Sequence, residues 1–499
     1  MLSCQLYRIR NGPRHMNSSA LLIQSLQNPA LFKHNVDDFK LIETHISWVL
    51  LTGPYAYKIK KPLNLGFLDF STLEKRHHYC LEELRLNGRL AADIYLEVIN
   101  INGTASQPSL NGSGTTIEYA IKMRQFEPDK TFDQLLIQQQ LNSAHLKQTA
   151  HIVAAFHHKI ARAAPDTHFG NAETLMQPVR ENFNQIEQIN SIDHPPALQS
   201  LALWCEQHYQ ALQAAFQKRK QNAYIRECHG DLHLGNIALM ADQVTPFDGI
   251  EFNPSLYWID VISDIAFLVM DLQAQQRNDL AFQFLNTYLQ DSGDYQGLQL
   301  LPFYLVYRAM VRAKVNAIRV GQSSSAHEHQ CAIAQYQSYV QLANAYTHPA
   351  SPLIIIMHGV SGSGKSWLSE QIIERYPFIR LRSDVERKRL QGLSAQQKSH
   401  SSINSGLYSQ ANSDLIYQHL LKLANDILSA PYSLIIDATF LQQQQRQLFS
   451  QYAQQRQIPF LIISVQMNKA TLLQRITERT GQADNVSEAN PSVLENQLN

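Results

Sequence analysis

The chain carries no net charge, with 42 Lys and Arg against 42 Asp and Glu over 499 residues. It therefore lacks the large one-sign field that coats a nucleic acid or a membrane surface. Long hydrophobic runs are missing too: no stretch approaches about 18 consecutive apolar residues, which excludes an ordinary membrane span. Cysteine is sparse and scattered (Cys4, Cys80, Cys205, Cys228, Cys331), without the CxxC spacing of a zinc or redox pair. Reduced thiols and a cytoplasmic location are the simplest reading. The first nineteen residues are basic with no apolar run behind them, so they fail as a secretory signal, and Met16 offers an alternative start. There is no internal repeat, and the one homopolymer run, Gln442–Gln445, reads as a solvated helix face. The length exceeds what one core serves, so two to four domains are expected.

What the sequence does contain is concentrated in a few short stretches. Residues 353–366, LIIIMHGVSGSGKS, read as an apolar strand running into a glycine-rich loop and then a helix, Trp367–Tyr376. A polyphosphate needs several backbone N–H donors converging on it, so Gly359, Gly362 and Gly364 let the backbone approach without a Cβ in the way, and Ser361 and Ser363 complete the loop. Lys365 would reach the β- and γ-phosphates of ATP, and Ser366 would hold Mg²⁺.

Residues 41–61 alternate on both sides of Gly53-Pro54, which predicts a hairpin, and a charged helix follows over Ser71–Arg89. A strand pair is predicted at 95–101 and 117–124, separated by the turn-rich SQPSLNGSGTT. Helical spacing dominates from 132 to about 220, short strands flank 229–236 and 244–250, and helices run from about 260 to 345. Two prolines interrupt AYTHPASP (345–352), the best linker.

The stretch HGDLHLGN (229–236) places Asp231 two residues after His229 and Asn236 five residues after Asp231. Phosphoryl transfer to a hydroxyl needs a carboxylate to orient the nucleophile and accept its proton, a task for Asp231. It also needs a neutral oxygen ligand for Mg²⁺, a task for Asn236. A second metal carboxylate should follow on the next strand, and TPFDGIEFNP supplies Asp248, with Glu251 close behind.

This order of residues resembles the aminoglycoside phosphotransferase family, a small-molecule branch of the protein-kinase-like fold whose signature is HGDxHxxN. The resemblance extends to SDIAFLVMDL, where Asp264 matches an Asp at the head of the next helix and would support the catalytic loop. It implies a small lobe in which a strand lysine holds the α- and β-phosphates and a helix glutamate orients it. AYKIKKP offers Lys58, Lys60 and Lys61. Lys58 and Lys60 share one strand face, so period alone does not choose between them, and the glutamate is one of Glu74, Glu82 and Glu83. No GxGxxG loop precedes these lysines. EYAIKMRQF (118–126) stands where the last small-lobe strand would meet the hinge, and a late helix projects Arg308, Arg312 and Lys314, a cluster able to bind an anion or a solvated edge.

Beyond the phosphate loop, RLRSDVERKRL sets Asp384 and Arg387 three apart at the end of a second strand, Phe378–Arg382. This DxxR arrangement resembles the 5'-hydroxyl polynucleotide kinase and gluconate kinase group, where an Asp activates the acceptor and an Arg binds its anion. SLIIDATF (433–440) is a buried strand ending in Asp437, the position of a Mg²⁺-facing carboxylate. Arg475 and Arg479 lie one helical turn apart, as in a lid helix that serves the transferring phosphate. After that lid no further strand or helix is visible, which leaves the domain either truncated or minimal.

The whole chain thus resembles a bacterial tandem protein. The fold class expected is an α+β protein-kinase-like (aminoglycoside phosphotransferase-like) domain over 1–345, with a small lobe at about 40–125 and a large lobe at about 126–345, followed by an α/β P-loop NTPase domain over 353–499, of AAA type, with a mostly parallel sheet. The function expected is an ATP- and Mg²⁺-dependent kinase acting on a hydroxyl of a small molecule. A 5'-hydroxyl nucleic-acid kinase is a weaker alternative, lowered by the neutral charge. An ATP-binding sensor with little turnover is a third. No residue pattern specifies an oligomer or a membrane partner.

Overall fold

Alternation about Gly53-Pro54 produces three strands rather than two: β1 (Lys40–Glu43), β2 (Ser47–Leu51) and β3 (Tyr55–Lys60). With β4 (Tyr95–Thr104), β5 (Gln107–Leu110) and β6 (Thr116–Arg124) they form a six-stranded antiparallel sheet in the order β1-β2-β3-β6-β4-β5. The computed structural model describes residues 18–66, 68–323, 325–393, 397, 410–479 and 491–498, without the side chains of 410–413 and Arg479. The alternative start at Met16 lies outside them.

β5 falls inside the segment expected to be a turn. Its sequence, Gln-Pro-Ser-Leu, has little strand propensity, but Pro108 sits opposite Gly103 on an outer strand, where a missing N–H costs no ladder bond.

Period-two alternation gives the sheet two apolar faces. Leu50, Tyr57, Ile59, Ile99, Ile101 and Ala120 pack with Leu22 and Ile23 of the Ser18–Ser25 helix and with Leu26 just after it. Leu51, Ala56, Ile121 and Met123 pack with Cys80 of the Leu73–Asn87 helix. Lys58 and Lys60 follow Ala56 at spacing two, so they leave the sheet on the side of that helix. Thr72 caps the helix, its side chain accepting the Lys75 N–H.

The chain divides into two compact units, one comprising 1–141, 159–176 and 217–268 and the other 142–158, 177–216 and 269–499. The first also contains β7 (Ile225–Glu227), β8 (Ile237–Met240), β9 (Gln243–Pro246) and β10 (Trp258–Asp260), paired as two small antiparallel ladders, β7 with β10 and β8 with β9.

In the second unit, helices Asn278–Ser292, Leu301–Gln322 and Ala326–Tyr346 precede β11 (Ile354–His358), β12 (Phe378–Arg382), β13 (Ser433–Asp437) and β14 (Phe460–Ser464). The four strands form a fully parallel sheet in the order β12-β13-β11-β14. The apolar runs of β11 and β13 suit strands buried on both faces: Ile354, Ile356, Met357, Leu434, Ile435 and Ile436 are almost fully buried, as are Ile379 and Leu381 of β12, whereas Leu461 and Ile462 of the outer strand β14 are exposed.

The side chain of Asn286 closes the outer edge of β12, donating to Phe378 O at 2.9 Å and accepting from Arg380 N at 2.7 Å. Glu370, on the helix that follows the phosphate loop, pairs with Lys147 and Arg380 at 2.7 and 2.6 Å. The structure also supplies the final helix not seen in the sequence, Pro491–Leu498, whose buried Leu494 packs on Leu472 and Ile476.

Candidate active sites

In the first unit, Lys58 and Lys60 both reach Glu83, and this settles which helix glutamate faces the strand. Glu74 lies in the exposed first turn and Glu82 pairs with Arg85. Glu83 Oε1 lies 2.7 Å from Lys58 Nζ and Oε2 lies 2.6 Å from Lys60 Nζ. Lys58 also contacts Asp248 Oδ1 at 2.7 Å. Lys60 pairs instead with Glu251, lies over the Phe70 ring, and is 1 % exposed. Of the two strand lysines read as nucleotide ligands, Lys58 stands beside Asp248, and Lys60 is sealed behind it.

Charge balance governs titration here. Burial alone would lower Lys58, but Asp248 and Glu83 hold it well above the usual lysine value. Burial opposes ionisation of Asp248 and Glu83 as well, and the lysines overcome it and keep both carboxyls low. Glu251 is the exception: burial outweighs Lys60 and pushes it up to about 7.

The loop carrying Asp231 is built from backbone hydrogen bonds that its sequence spacing makes available. Asp264, in the first turn of the Val261–Ala274 helix, accepts the N–H groups of His229 at 3.3 Å and Gly230 at 2.8 Å. His229 is buried, which lowers its pKa; its Nε2–H donates to Phe247 O at 2.9 Å. His233 Nδ1 accepts the Gly235 N–H at 3.1 Å, which leaves Nε2 carrying the proton, 3.5 Å from Asp231 Oδ2. Gly230 has φ +83, and a Cβ there would stand 2.7 Å from Leu256 O, so the position requires glycine.

Asn236 joins this loop to Asp248. Its Nδ2 donates to Asp231 O and Oδ2 at 3.0 and 2.9 Å and faces Asp248 O at 3.3 Å. Three acceptors fix the amide's orientation, and its buried Oδ1 then has no hydrogen-bond partner. A buried carbonyl oxygen without a partner beside a carboxylate is the hard oxygen donor set that suits Mg²⁺. Asp248 itself has φ +59, a strained backbone for a side chain that must point into a site. The backbone on its far side is tied down by Tyr95, whose hydroxyl accepts the Asp248 N–H at 3.2 Å, and by Asn87, which accepts from Gly249 N at 2.7 Å. Asn87 and Tyr95 were not anticipated from sequence. Asn87 had a readable signal, since it lies one helical turn beyond Glu83 on the same face.

In the second unit the glycine-rich loop sits between β11 and the Lys365–Ile373 helix. Gly359, Gly362 and Gly364 have φ of +144, +82 and +104, and a Cβ on Gly359 would meet Val465 O at 2.5 Å. Ser363 Oγ is buried without a partner, and Lys365 Nζ donates to Val360 O at 2.8 Å. Gln497 Oε1 accepts the Ser361 N–H at 2.7 Å, a contact no motif announces. Ser366 lies in the first turn of the helix, and Asp437 ends the adjacent β13, buried, 3.7 Å from the Arg382 guanidinium. The hydroxyl and carboxylate oxygens of Ser366 and Asp437 are again donors that suit Mg²⁺.

Asp384 lies in the first turn of the Ser383–Leu390 helix and pairs with Arg387 at 3.3 Å. Arg475 comes close to the loop, since a Cβ on Gly364 would stand 3.4 Å from its Nη1. The Arg479 side chain lies outside the described residues. Arg308 and Arg312 lie against the Tyr307 and Tyr339 rings, and burial lowers the pKa of Lys314, which Glu181 partly opposes. That helix edge is packed rather than solvated.

Among the described residues no helix is long and apolar enough to cross a membrane.

The AAA domain family model matches residues 354–499. An uncharacterized protein of Mycobacterium tuberculosis, Rv2004c, is 30% identical over 417 residues, covering 83% of this chain and 81% of the relative. Among solved structures, choline kinase from Cryptosporidium parvum is similar at TM-score 0.41 and 11% identity, covering 66% of this chain and 95% of its own. The aminoglycoside phosphotransferase of Alicyclobacillus acidocaldarius follows at TM-score 0.34 and 15% identity, covering 64% and 92%. The kinase-like assignment stands on the lysine–glutamate pair, the Asp231 loop and Asp248 rather than on those distant likenesses. This chain, an aminoglycoside-phosphotransferase-like fold followed by an AAA-type P-loop domain, belongs to the same protein family as the mycobacterial relative.

Proposed function

We propose that the chain is an ATP- and Mg²⁺-dependent phosphotransferase with two nucleotide sites, each passing phosphate to a hydroxyl of a small molecule. The observation that carries this reading is the bridge made by Lys58 between Glu83 and Asp248, with Asn236 linking Asp248 to Asp231. A cation for phosphate oxygens, two oxygen donors for a metal, and a carboxylate for the acceptor proton are thereby gathered in one place.

In the first site Lys58 holds phosphate, Asn236 and Asp248 hold Mg²⁺, and Asp231 orients the acceptor hydroxyl and takes its proton. Mg²⁺, when bound, offsets charge on the phosphates. In the second, the backbone from Gly359 to Gly364 and Lys365 hold phosphate, Ser366 and Asp437 serve the metal, Asp384 orients the acceptor, and Arg387, Arg475 and Arg479 neutralise charge. Nothing in either arrangement names an aminoglycoside, because a fold does not carry a substrate with it.

The test is ADP release by the full chain with Mg-ATP and a cell metabolite extract, comparing wild type with Asp231→Ala and Lys365→Ala. Loss of a distinct share of turnover in each variant supports two kinase sites. Unchanged ADP release in both would overturn the assignment.

A further inference from the structure

The first unit contains two lysines where phosphate binding needs one. Lys60 is the second, and it is 1 % exposed, so no ligand can touch its ammonium. A buried ammonium is costly unless it is fully paired, and Lys60 is paired twice, with Glu83 and with Glu251. Glu83 in turn divides its two oxygens, one to each lysine. The result is a chain of charges, Asp248–Lys58–Glu83–Lys60–Glu251, buried from Glu83 to Glu251, that begins and ends on the same short loop.

That loop is also gripped one helical turn further along. Asn87 accepts from Gly249 N at 2.7 Å and its Nδ2 faces Gly249 O at 3.4 Å. A Cβ on Gly249 would stand 2.9 Å from His229 O, so the loop has no slack there for a side chain. The Leu73–Asn87 helix is thus tied to the metal loop through Glu83 on both lysines and through Asn87 on the backbone.

We infer that Lys60 and Glu251 are positioning residues for the nucleotide site: they hold Glu83 from behind, so that the Lys58–Glu83 pair stands assembled before nucleotide arrives. This rests on the reading of Lys58 and Asp248 as nucleotide and metal ligands. In a site with a single lysine, the helix glutamate is free to leave when its helix moves, and kinases use that freedom for control. Here leaving would strand Lys60 and Glu251 together with Glu83 in a buried environment. The kinase-like half is therefore built without the off-state that loss of the lysine–glutamate pair provides.

The experiment is Mg-ATP titration by calorimetry of the full chain in a Lys365→Ala background, which leaves the first site to be read. Lys58→Met, Lys60→Met, Glu251→Gln and the Lys60→Met/Glu251→Gln pair are compared, with circular dichroism and melting to report the folded fraction. Lys60→Met is expected to weaken Mg-ATP at least tenfold in the folded protein. Adding Glu251→Gln should restore at least half of that loss on a logarithmic scale, because the carboxylate left facing Glu83 is removed. A merely structural lysine would lower the melting temperature and leave the affinity of the folded protein unchanged. If Lys60→Met fails to fold, Glu251→Gln, which keeps the shape, decides: wild-type affinity overturns the inference, and a loss of threefold or more supports it. If Lys58→Met binds Mg-ATP like wild type, the site reading itself is wrong. If Lys58→Met loses binding while Lys60→Met and Glu251→Gln do not, only the positioning inference falls.

Discussion

The Asp264 carboxylate holds the backbone N–H of Gly230 at 2.8 Å, with that of His229 on its other oxygen at 3.3 Å. Asp264 thereby fixes the turn from which Asp231 projects. Asp264→Ala would remove the acceptor of two buried donors, at about 1–3 kcal/mol each. The expected outcome is a drop of roughly 100-fold in Asp231-dependent turnover through a misplaced loop, with Lys365-dependent nucleotide binding retained. Equal loss at both sites would mean general unfolding instead.

Asp231→Ala removes the proton acceptor and should cut turnover at the first site by about 10²–10⁴-fold, the usual yield of a positioned general base. Affinity for Mg-ATP should change little, because Lys58 and Asp248 remain. Steady-state kinetics with a fractionated acceptor would separate the two effects.

Much of this site is legible in the sequence because its parts are local. Asp231, Asn236 and Asp248 lie within one short stretch, and the structure brings them together in the types and order that the proposed phosphoryl transfer would require. The choice among Glu74, Glu82 and Glu83 was not legible: three carboxylates on one helix differ only in which face the sheet covers, and that depends on packing against β3. Asn87, Tyr95 and Gln497 escaped for a related reason, since each acts on the backbone of a distant segment. β14, IPFLIISV, is an apolar run that the motif reading passed over, and the short strand β5 owes its existence to pairing with β4 rather than to its own propensity.

Gly359→Ala would place a methyl 2.5 Å from Val465 O at a φ of +144. Both the close approach and the backbone conformation oppose it, so Lys365-dependent Mg-ATP binding should fall by at least tenfold, consistent with a penalty of about 1–3 kcal/mol for such strain. Isothermal titration in a Lys58→Met background, which removes nucleotide binding at the first site, reads this one.

Gln497 takes up the Ser361 N–H, a donor that under the proposed function would serve a phosphate oxygen. Gln497→Ala should raise Mg-ADP affinity at the phosphate loop about fivefold, the worth of one hydrogen bond of roughly 1 kcal/mol. Unchanged or weaker affinity would show that the contact does not compete with nucleotide.

Glu370 gives a pH dependence. Burial opposes its ionisation, but Arg380 and Lys147 outweigh burial and hold the carboxyl at about 2 instead of 4.5. Because its folded value is depressed, the stabilisation is present above the unfolded value and is lost as pH falls from about 4.5 toward 2. A shift of that size carries at most about 3 kcal/mol, and with the side chain 21% exposed about 2 kcal/mol is expected. Glu370→Gln should therefore destabilise the second unit at neutral pH by about that amount, and denaturant melts of wild type and variant should converge near pH 2–3.

The Asn286 carboxamide offers one donor and one acceptor to the rim of β12, as a neighbouring strand's peptide group would. An outer strand with bare N–H and C=O groups is a template on which other chains can add. One amide side chain closes that template here, and it comes from the Asn278–Ser292 helix, far upstream of the glycine-rich loop. Residues 353–499 released on their own would lose this plug together with Lys147. At its β12 edge the P-loop sheet is thus spared from growing sideways into other molecules by a residue that its own segment does not encode.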